Sequence, residues 1–432
     1  MQPIIGAVCV AAVLVAAHTA VAEEPHTAHS HAEASSVYRG GDTLTLHAAI
    51  SRALDHSPRL RSATAVRDAA EGEVVQSNYW SNPQLTFEAE NIAGTGQYSG
   101  LGSGEYTYGL IQQIPMGGKR ATAQTAAQAG SDAAALAIEA ERLILARDVH
   151  IAYEQVLTEA EAVQLAIEQE QLANDVLQSV KKRVNAAAEP DIQLSKAQVA
   201  VDTAAIALQQ EKQQLALAKL QLAQLWGATE LDVSLDHAHF FALEAPQPLE
   251  YYRNNLEQLP DIRRLVHLQA QKQALMQWEQ AQNTPDPSIS LGVRDLRGSN
   301  DQAFVLGVSL PIPVLNRNQG NITRARAQLM QAESDAEQTT LLLQQELAGA
   351  WHNWQTAFVE AERLRGRLIP TAEKAFRQAR EGYDAGRFSY LEVLDAQRTL
   401  FDARKQYHLA LQRYHTSRAQ LERLTSSEGE NS

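Results

Sequence analysis

The chain has 432 residues, 44% of them hydrophobic and 20% charged, which is ordinary for a folded protein and long enough for two or three domains. A formal net charge of -14 argues against a nucleic-acid binder, which needs a basic face to neutralise phosphates, and is more at home with cations. Only 6% is aromatic, and the abundance of Ala and Gln favours long helices over a dense globular core.

Residues 1–22, MQPIIGAVCVAAVLVAAHTAVA, carry an apolar run that ends in a small-x-small site and so read as a signal peptide. A run of about 14 apolar residues is too short to span a bilayer. The one cysteine, Cys9, lies inside this segment, so the exported chain has no thiol, which suits an oxidising periplasm. Residues 23–41 place His26, His29 and His31 beside Glu23, Glu24 and Glu33. Neutral imidazole suits zinc, copper, nickel or cobalt, which makes the three histidines candidate metal ligands. The competing reading is a flexible tail that fixes no coordination geometry. No other cofactor is expected.

The rest is written twice. HSPRLRSA at 56–63 answers QLPDIRRL at 258–265, and YGLIQQIP, ending at Pro115, answers LGVSLPIP, ending at Pro313. The pattern predicts one repeat over 42–227, a linker over 228–248, a second repeat over 249–425 and a tail over 426–432, each repeat running helix, strand, strand, long helix, turn, long helix. In the last helix of each repeat an apolar residue recurs every seventh place: Leu194, Val201, Leu208, Leu215 and Leu222, then Val393, Leu400, Tyr407, Tyr414 and Leu421. Small residues run beside them, broken only by Glu211, so two such helices can pack closely as a coiled coil. The preceding helices carry looser seams: Val149, Val156, Val163, Leu177 and Val184 in one repeat, Leu347, Trp354, Ala361 and Leu368 in the other. A helix from Lys119 to near Ala188 would be about 100 Å long, more than a compact domain needs.

The four strands alternate with a period of two. One face carries Leu85 and Phe87, then Tyr106 and Tyr108, then Ile289 and Leu291, then Phe304, Leu306 and Val308; the other carries polar residues and glycine. In a soluble sandwich the apolar face would meet a second sheet. Export, strands of about ten residues and Gly/Ser-rich loops instead fit a membrane barrel wall, with these nine residues facing lipid. Four strands cannot close, because about eight is the smallest closed sheet in membranes, so the barrel must be shared between copies. Pro115, Pro311 and Pro313, with Gly117 and Gly118, end the ladder where strand turns into helix. Lys119, Arg120, Arg317, Arg324 and Arg326 follow, either as headgroup-level cations or as a solvated helix face.

The layout resembles the TolC family of outer-membrane efflux channels, in particular its heavy-metal branch associated with cobalt, zinc and cadmium export. The likeness is carried by LTLHAAISRALDHSPRLRSA (44–63), NPQL (82–85), QQIPMGGKR (112–120), LPIPVLNRNQG (310–320) and GYDAGRFSYLEVLDAQRTLFDAR (382–404). The resemblance implies an α+β membrane protein: a homotrimer whose twelve-stranded outer-membrane barrel, four strands per chain, continues into a long periplasmic barrel of helices. It also implies docking to a periplasmic adaptor and, through it, to an inner-membrane RND-type proton-driven pump. Carried onto this chain, the adaptor-facing tips hold Glu189, Pro190 and Asp191 in the first repeat and Gly386, Arg387, Phe388, Ser389 and Tyr390 in the second. Asp191 and Asp384 are candidate aperture acids, since rings of carboxylates favour cations. A drug-efflux or type I secretion channel of the same fold and a soluble periplasmic coiled-coil scaffold remain the alternatives.

His237 and His239 have ligand spacing, but no carboxylate fixed by a helix lies near them in sequence, so they read as part of a structural linker. No nucleophile elbow, phosphate loop or H-E-x-x-H motif occurs, and the expectation is a passive duct, not an enzyme.

Overall fold

A computed structural model describes residues 43–425. The signal-like segment, His26, His29 and His31, and the tail at 426–432 lie outside the described residues.

Thr45 caps α1 (Leu46–His56) by accepting the amide of Ala48. Ser57 closes that helix and opens α2 (Pro58–Ser77), where Pro58 fills a first-turn position that needs no N–H. Strands β1 (Gln84–Glu90) and β2 (Glu105–Gln113) follow, and then α3 (Lys119–Asn185), an unbroken helix of 67 residues, about 100 Å long. A turn leads into α4 (Asp191–Gln224). In the linker, Leu235 makes a parallel bridge with Leu44. The second half runs α5 (Leu249–Arg253), α6 (Pro260–Ala281), β3 (Ser288–Leu296), β4 (Asp301–Ser309), α7 (Gln319–Arg363), a π turn at Leu364–Leu368, α8 (Ile369–Asp384) and α9 (Tyr390–Arg423). Among the described residues no helix is long and apolar enough to cross a membrane.

The strands form one antiparallel sheet in the order β1-β2-β3-β4. Its register aligns the apolar residues into rows: Leu85, Leu110, Leu291 and Leu306 in one, Phe87, Tyr108, Val293 and Phe304 in the next. The outer edges of β1 and β4 have no partner strand within the described residues.

The long helices lie side by side. α4 packs on α3, α3 also packs on α9, and α9 packs on α7 and α8, while α2 and α6 lean on α3. The seven-residue seams supply the buried faces: Leu208 and Leu222 on α4 and all five seam residues of α9 are buried. Each fully buried leucine contributes about 1.5–3 kcal/mol of transfer free energy. Glu211 is accommodated through Lys405 of α9, 3.5 Å away. The partner seam departs from the expected spacing at one place. Leu347, Trp354 and Ala361 are buried, but Leu368 is 46% exposed, and Leu364 and Ala372 are buried instead. Pro370 has no N–H for the carbonyl of Gly366 and crowds it, so the helix widens into the π turn and the stripe shifts.

Candidate functional site

The sheet keeps its two chemistries on opposite faces. On the apolar face Leu85, Phe87, Tyr108, Leu291, Leu306 and Val308 are exposed, Ile289 is barely so, and Phe304 is 94% exposed. Tyr106 is half-buried, stacked on Phe87 and covered by the Arg297 guanidinium, 5.8 Å from its ring centroid. On the other face Arg294 ties three strands together: it donates to Glu105 at 3.1 Å and to Thr107 Oγ1 at 3.0 Å, and pairs with Glu90 at 3.0 Å. A bare apolar face, a charged opposite face and two open edges suit a wall that is wet inside and meets lipid outside.

Where the wall meets the helices, Asp286, just before β3, gathers the first strand-to-helix crossing. One carboxylate oxygen accepts the Met116 amide at 2.7 Å and pairs with Lys119 Nζ at 2.7 Å; the other accepts Gln113 Nε2 at 3.2 Å. Lys119 is 8% exposed, so it is a buried ion-pair partner, neither a headgroup-level cation nor part of a solvated face. Past Pro115, Gly117 and Gly118 take φ of 69° and 76°, and a side chain at Gly117 would strike Thr284 at 2.7 Å. Arg120 lies over the Trp80 ring, 4.9 Å from its centroid. At the second crossing, beyond Pro311 and Pro313, Asn318 turns at φ 58° and donates to the Glu279 side chain at 2.6 Å, while Arg324 pairs with the same carboxylate at 3.2 Å.

The helices reverse at residues 186–190 and 385–389. The two turns share a small core of Val176, Val180, Ala197, Ala379, Tyr383, Tyr390 and Val393. Tyr390 is 2% exposed and belongs to that core, not to the outer surface expected of an adaptor contact; burial raises its phenol to about 12. Glu189 is partly buried and pairs with Arg183 at 3.4 Å. Arg183 also donates to the Tyr383 carbonyl at 2.9 Å and lies over its ring. Phe388 covers Gly382, where a Cβ would lie 2.2 Å from the phenyl ring. Pro190, Asp191, Gly386, Arg387 and Ser389 are exposed, and Phe388 remains 44% exposed. Asp384 is exposed on the last turn of α8, where the helix dipole disfavours a carboxylate. Asp191, on the first turn of α4, sits where the dipole favours one.

The linker histidines do meet carboxylates fixed by a helix. His239 Nε2 lies 2.7 Å from Glu154 Oε1 and His237 Nδ1 lies 3.3 Å from Glu161 Oε1, both acids on α3. Sequence reasoning missed them because the partners lie some eighty residues upstream; burial of Glu154, at 0% exposure, is not a sequence signal.

A four-stranded sheet with one exposed apolar face and two open edges, continuous with very long helices, suits an outer-membrane duct. The family model described as outer membrane efflux protein matches residues 49–228 and 251–427, and the chain belongs to that family, whose place is the outer membrane. It is 30% identical over 364 residues to the cobalt-zinc-cadmium resistance protein CzcC of Cupriavidus metallidurans, covering 84% of this chain and 85% of that one. It is 25% identical over 285 residues to the nickel-cobalt-cadmium resistance protein NccC of Alcaligenes xylosoxydans xylosoxydans, covering 66% and 64%. Its fold is similar to that of CusC, with a TM-score of 0.77 at 21% identity over 91% of this chain and 96% of that one.

Proposed function

We propose that the protein is the passive exit duct of a tripartite efflux assembly and that its cargo is heavy-metal cations. The observation that carries the reading is the unfinished wall: four strands, one bare apolar face and two open edges. Unpaired edge amides cost several kcal/mol each in lipid, so the wall closes by joining β4 of one copy to β1 of the next. Three copies, the number the TolC resemblance implies, supply twelve strands. The helical layer has an open edge too: α4 packs chiefly on α3, and its exposed Ile192, Val199 and Ile206 recur every seventh residue, ready for a helix of the neighbouring copy. Duplication of one ancestral unit, with repeats over 42–227 and 249–425 around the linker, is supported by the shared element order and by α4 and α9, each 34 residues long.

The cation cargo is supported by the metals named for CzcC and NccC, by the net charge of -14 and by the exposed carboxylates of Asp191 and Asp384. The duct does no chemistry of its own. A periplasmic adaptor grips the exposed tip residues, the tips part, and an inner-membrane RND-type pump supplies the energy.

Deleting the gene should sensitise cells to zinc, cobalt or cadmium. A wild-type copy should restore tolerance, and a copy carrying Phe304→Asp and Leu306→Asp, which puts charge on the lipid face, should not. Unchanged metal tolerance in the deletion strain would sink the cargo assignment. Release of the native protein from membranes by salt alone, as a monomer, would sink the duct.

A further inference from the structure

Midway along α3, one carboxylate stands among three imidazoles. Glu154 is 0% exposed. Its Oε1 accepts His239 Nε2–H at 2.7 Å, and its Oε2 has no hydrogen-bond partner among the described residues. His150 Nε2, one turn back on α3, lies 3.7 Å from Oε1, and His415 Nδ1, from α9, lies 3.9 Å from it. Those two separations are too long for hydrogen bonds. They are close to the spacing of atoms that share an ion: two donors on one tetrahedral zinc stand about 3.3 Å apart. Among the described residues His150, Glu154 and His415 are the group whose ligand atoms converge, all within 4.8 Å of one another.

The surroundings prepare the imidazoles to be ligands. The Phe240 carbonyl can only accept, so His415 Nε2, 2.9 Å away, carries the proton and Nδ1 presents its lone pair toward Glu154. His150 turns its other nitrogen toward Glu422, 3.5 Å away, and Glu422 is itself held by Arg418 at 2.8 Å. A ligating histidine whose second nitrogen faces a carbonyl or carboxylate is the usual outer arrangement of a metal site. His239 plays the corresponding part for the carboxylate by fixing its orientation. A cavity of about 470 Å³, lined by His150, His239, His415 and Glu422, reaches the cluster, so an ion has a path in and a water has room for the remaining position.

We infer that His150, Glu154 and His415 form a binding site for one divalent transition cation of the zinc or cobalt type, oriented by His239. Two nitrogens and one carboxylate oxygen, with a position left open, suit those ions and not calcium or magnesium, which take oxygen ligands. Two ligands come from the first half of the chain and one from the second, so the bound ion clamps α3 to α9 and holds the linker over both. The clamp does not depend on what the duct carries.

The test uses the full chain in detergent with His26, His29 and His31 replaced by Ala, which removes the N-terminal imidazoles as a source of binding. Titration calorimetry should find one Zn2+ per chain, and Co2+ should give the visible absorption of a nitrogen-ligated site. Glu154→Gln and His415→Asn should each abolish that equivalent. His150→Gln, at the least deeply buried of the three positions, 9% exposed, should weaken it at least tenfold with circular dichroism unchanged, which keeps the test decisive if the other two variants misfold. Zn2+ should also raise the melting temperature of the parent and not of the variants. No Zn2+ bound by the parent, or an undiminished equivalent in folded His150→Gln, would overturn the site. Either result would leave the duct standing, because the duct is tested by metal tolerance and membrane extraction.

Discussion

At the first tip an alanine, Ala187, turns the chain at φ 53°; at the second the same place is held by Gly386 at φ 73°. Both turns close with paired backbone bonds. Ala187 and Ala188 donate to the Val184 and Arg183 carbonyls, each at 2.9 Å, while Gly386 and Arg387 donate to those of Tyr383 and Gly382, at 2.9 and 2.7 Å. The left-handed conformation costs a residue with a Cβ about 1–2 kcal/mol and costs glycine little. The helices that follow begin differently as well. α9 has a capping box, with the Ser389 amide donating to Glu392 at 2.7 Å, whereas α4 starts at Pro190 with no side-chain cap. The aromatic residues Tyr383, Phe388 and Tyr390 are all supplied by the second tip, and the first tip contributes none to the shared core. The first tip is therefore the strained one, and it leans on the second through Arg183. Local opening should start there.

Three measurements would break or sharpen that contrast. Tyr390→Ala should have the largest effect, about 3 kcal/mol or more, since it empties a buried aromatic position. Hydrogen exchange should show both tips losing protection, because Tyr390 packs in one core with Val176 and Val180; a loss confined to residues 376–393 would show that the first tip stands alone. Alkaline pH should act next. Burial raises the phenol of Tyr390 to about 12 and shifts that of Tyr383 in the same direction, against an ordinary value near 10. The folded tip holds its protons longer than the opened one, so its stability is intact below about pH 10 and falls as pH rises toward 12. Spin labels on Ala188→Cys and Arg387→Cys should read this as mobility gained first at 387, and Tyr390→Phe should blunt it. The smallest effects should come from exchanging the turn residues. Ala187→Gly should strengthen the first tip by about 1 kcal/mol, and Gly386→Ala should weaken the second by about as much, since a Cβ at Gly386 meets open space and pays only for φ. Exchange protection of the flanking turns distinguishes the two signs.

Much of this was legible in the sequence. The period-two faces, the prolines at the crossings and the seven-residue seams follow from local spacing, and local spacing is what helices and strands obey. What stayed hidden depends on partners far apart in the chain. Nothing around Asp286 announces that it will hold Met116 and Lys119, and nothing in the linker announces Glu154 as the partner of His239. Ala187 was hidden for another reason: alanine carries no turn signal, and only its likeness in position to Gly386, each two residues past the end of a helix, points to a left-handed residue. The slip at Leu368 was written in Pro370, whose missing N–H forbids the regular helix the seam assumed.

The π turn at Leu364–Leu368 also sets the angular index of everything below it. An extra residue in one helical turn rotates the lower segment by about 100°, and Ala372, Ala379 and Tyr383 point inward only because of that rotation. Removing a single residue from the turn would leave α8 just as long and just as helical while dialling its buried stripe away from α9. The chain thus carries a built-in phase correction between its upper and lower segments, and the tip reads the dial.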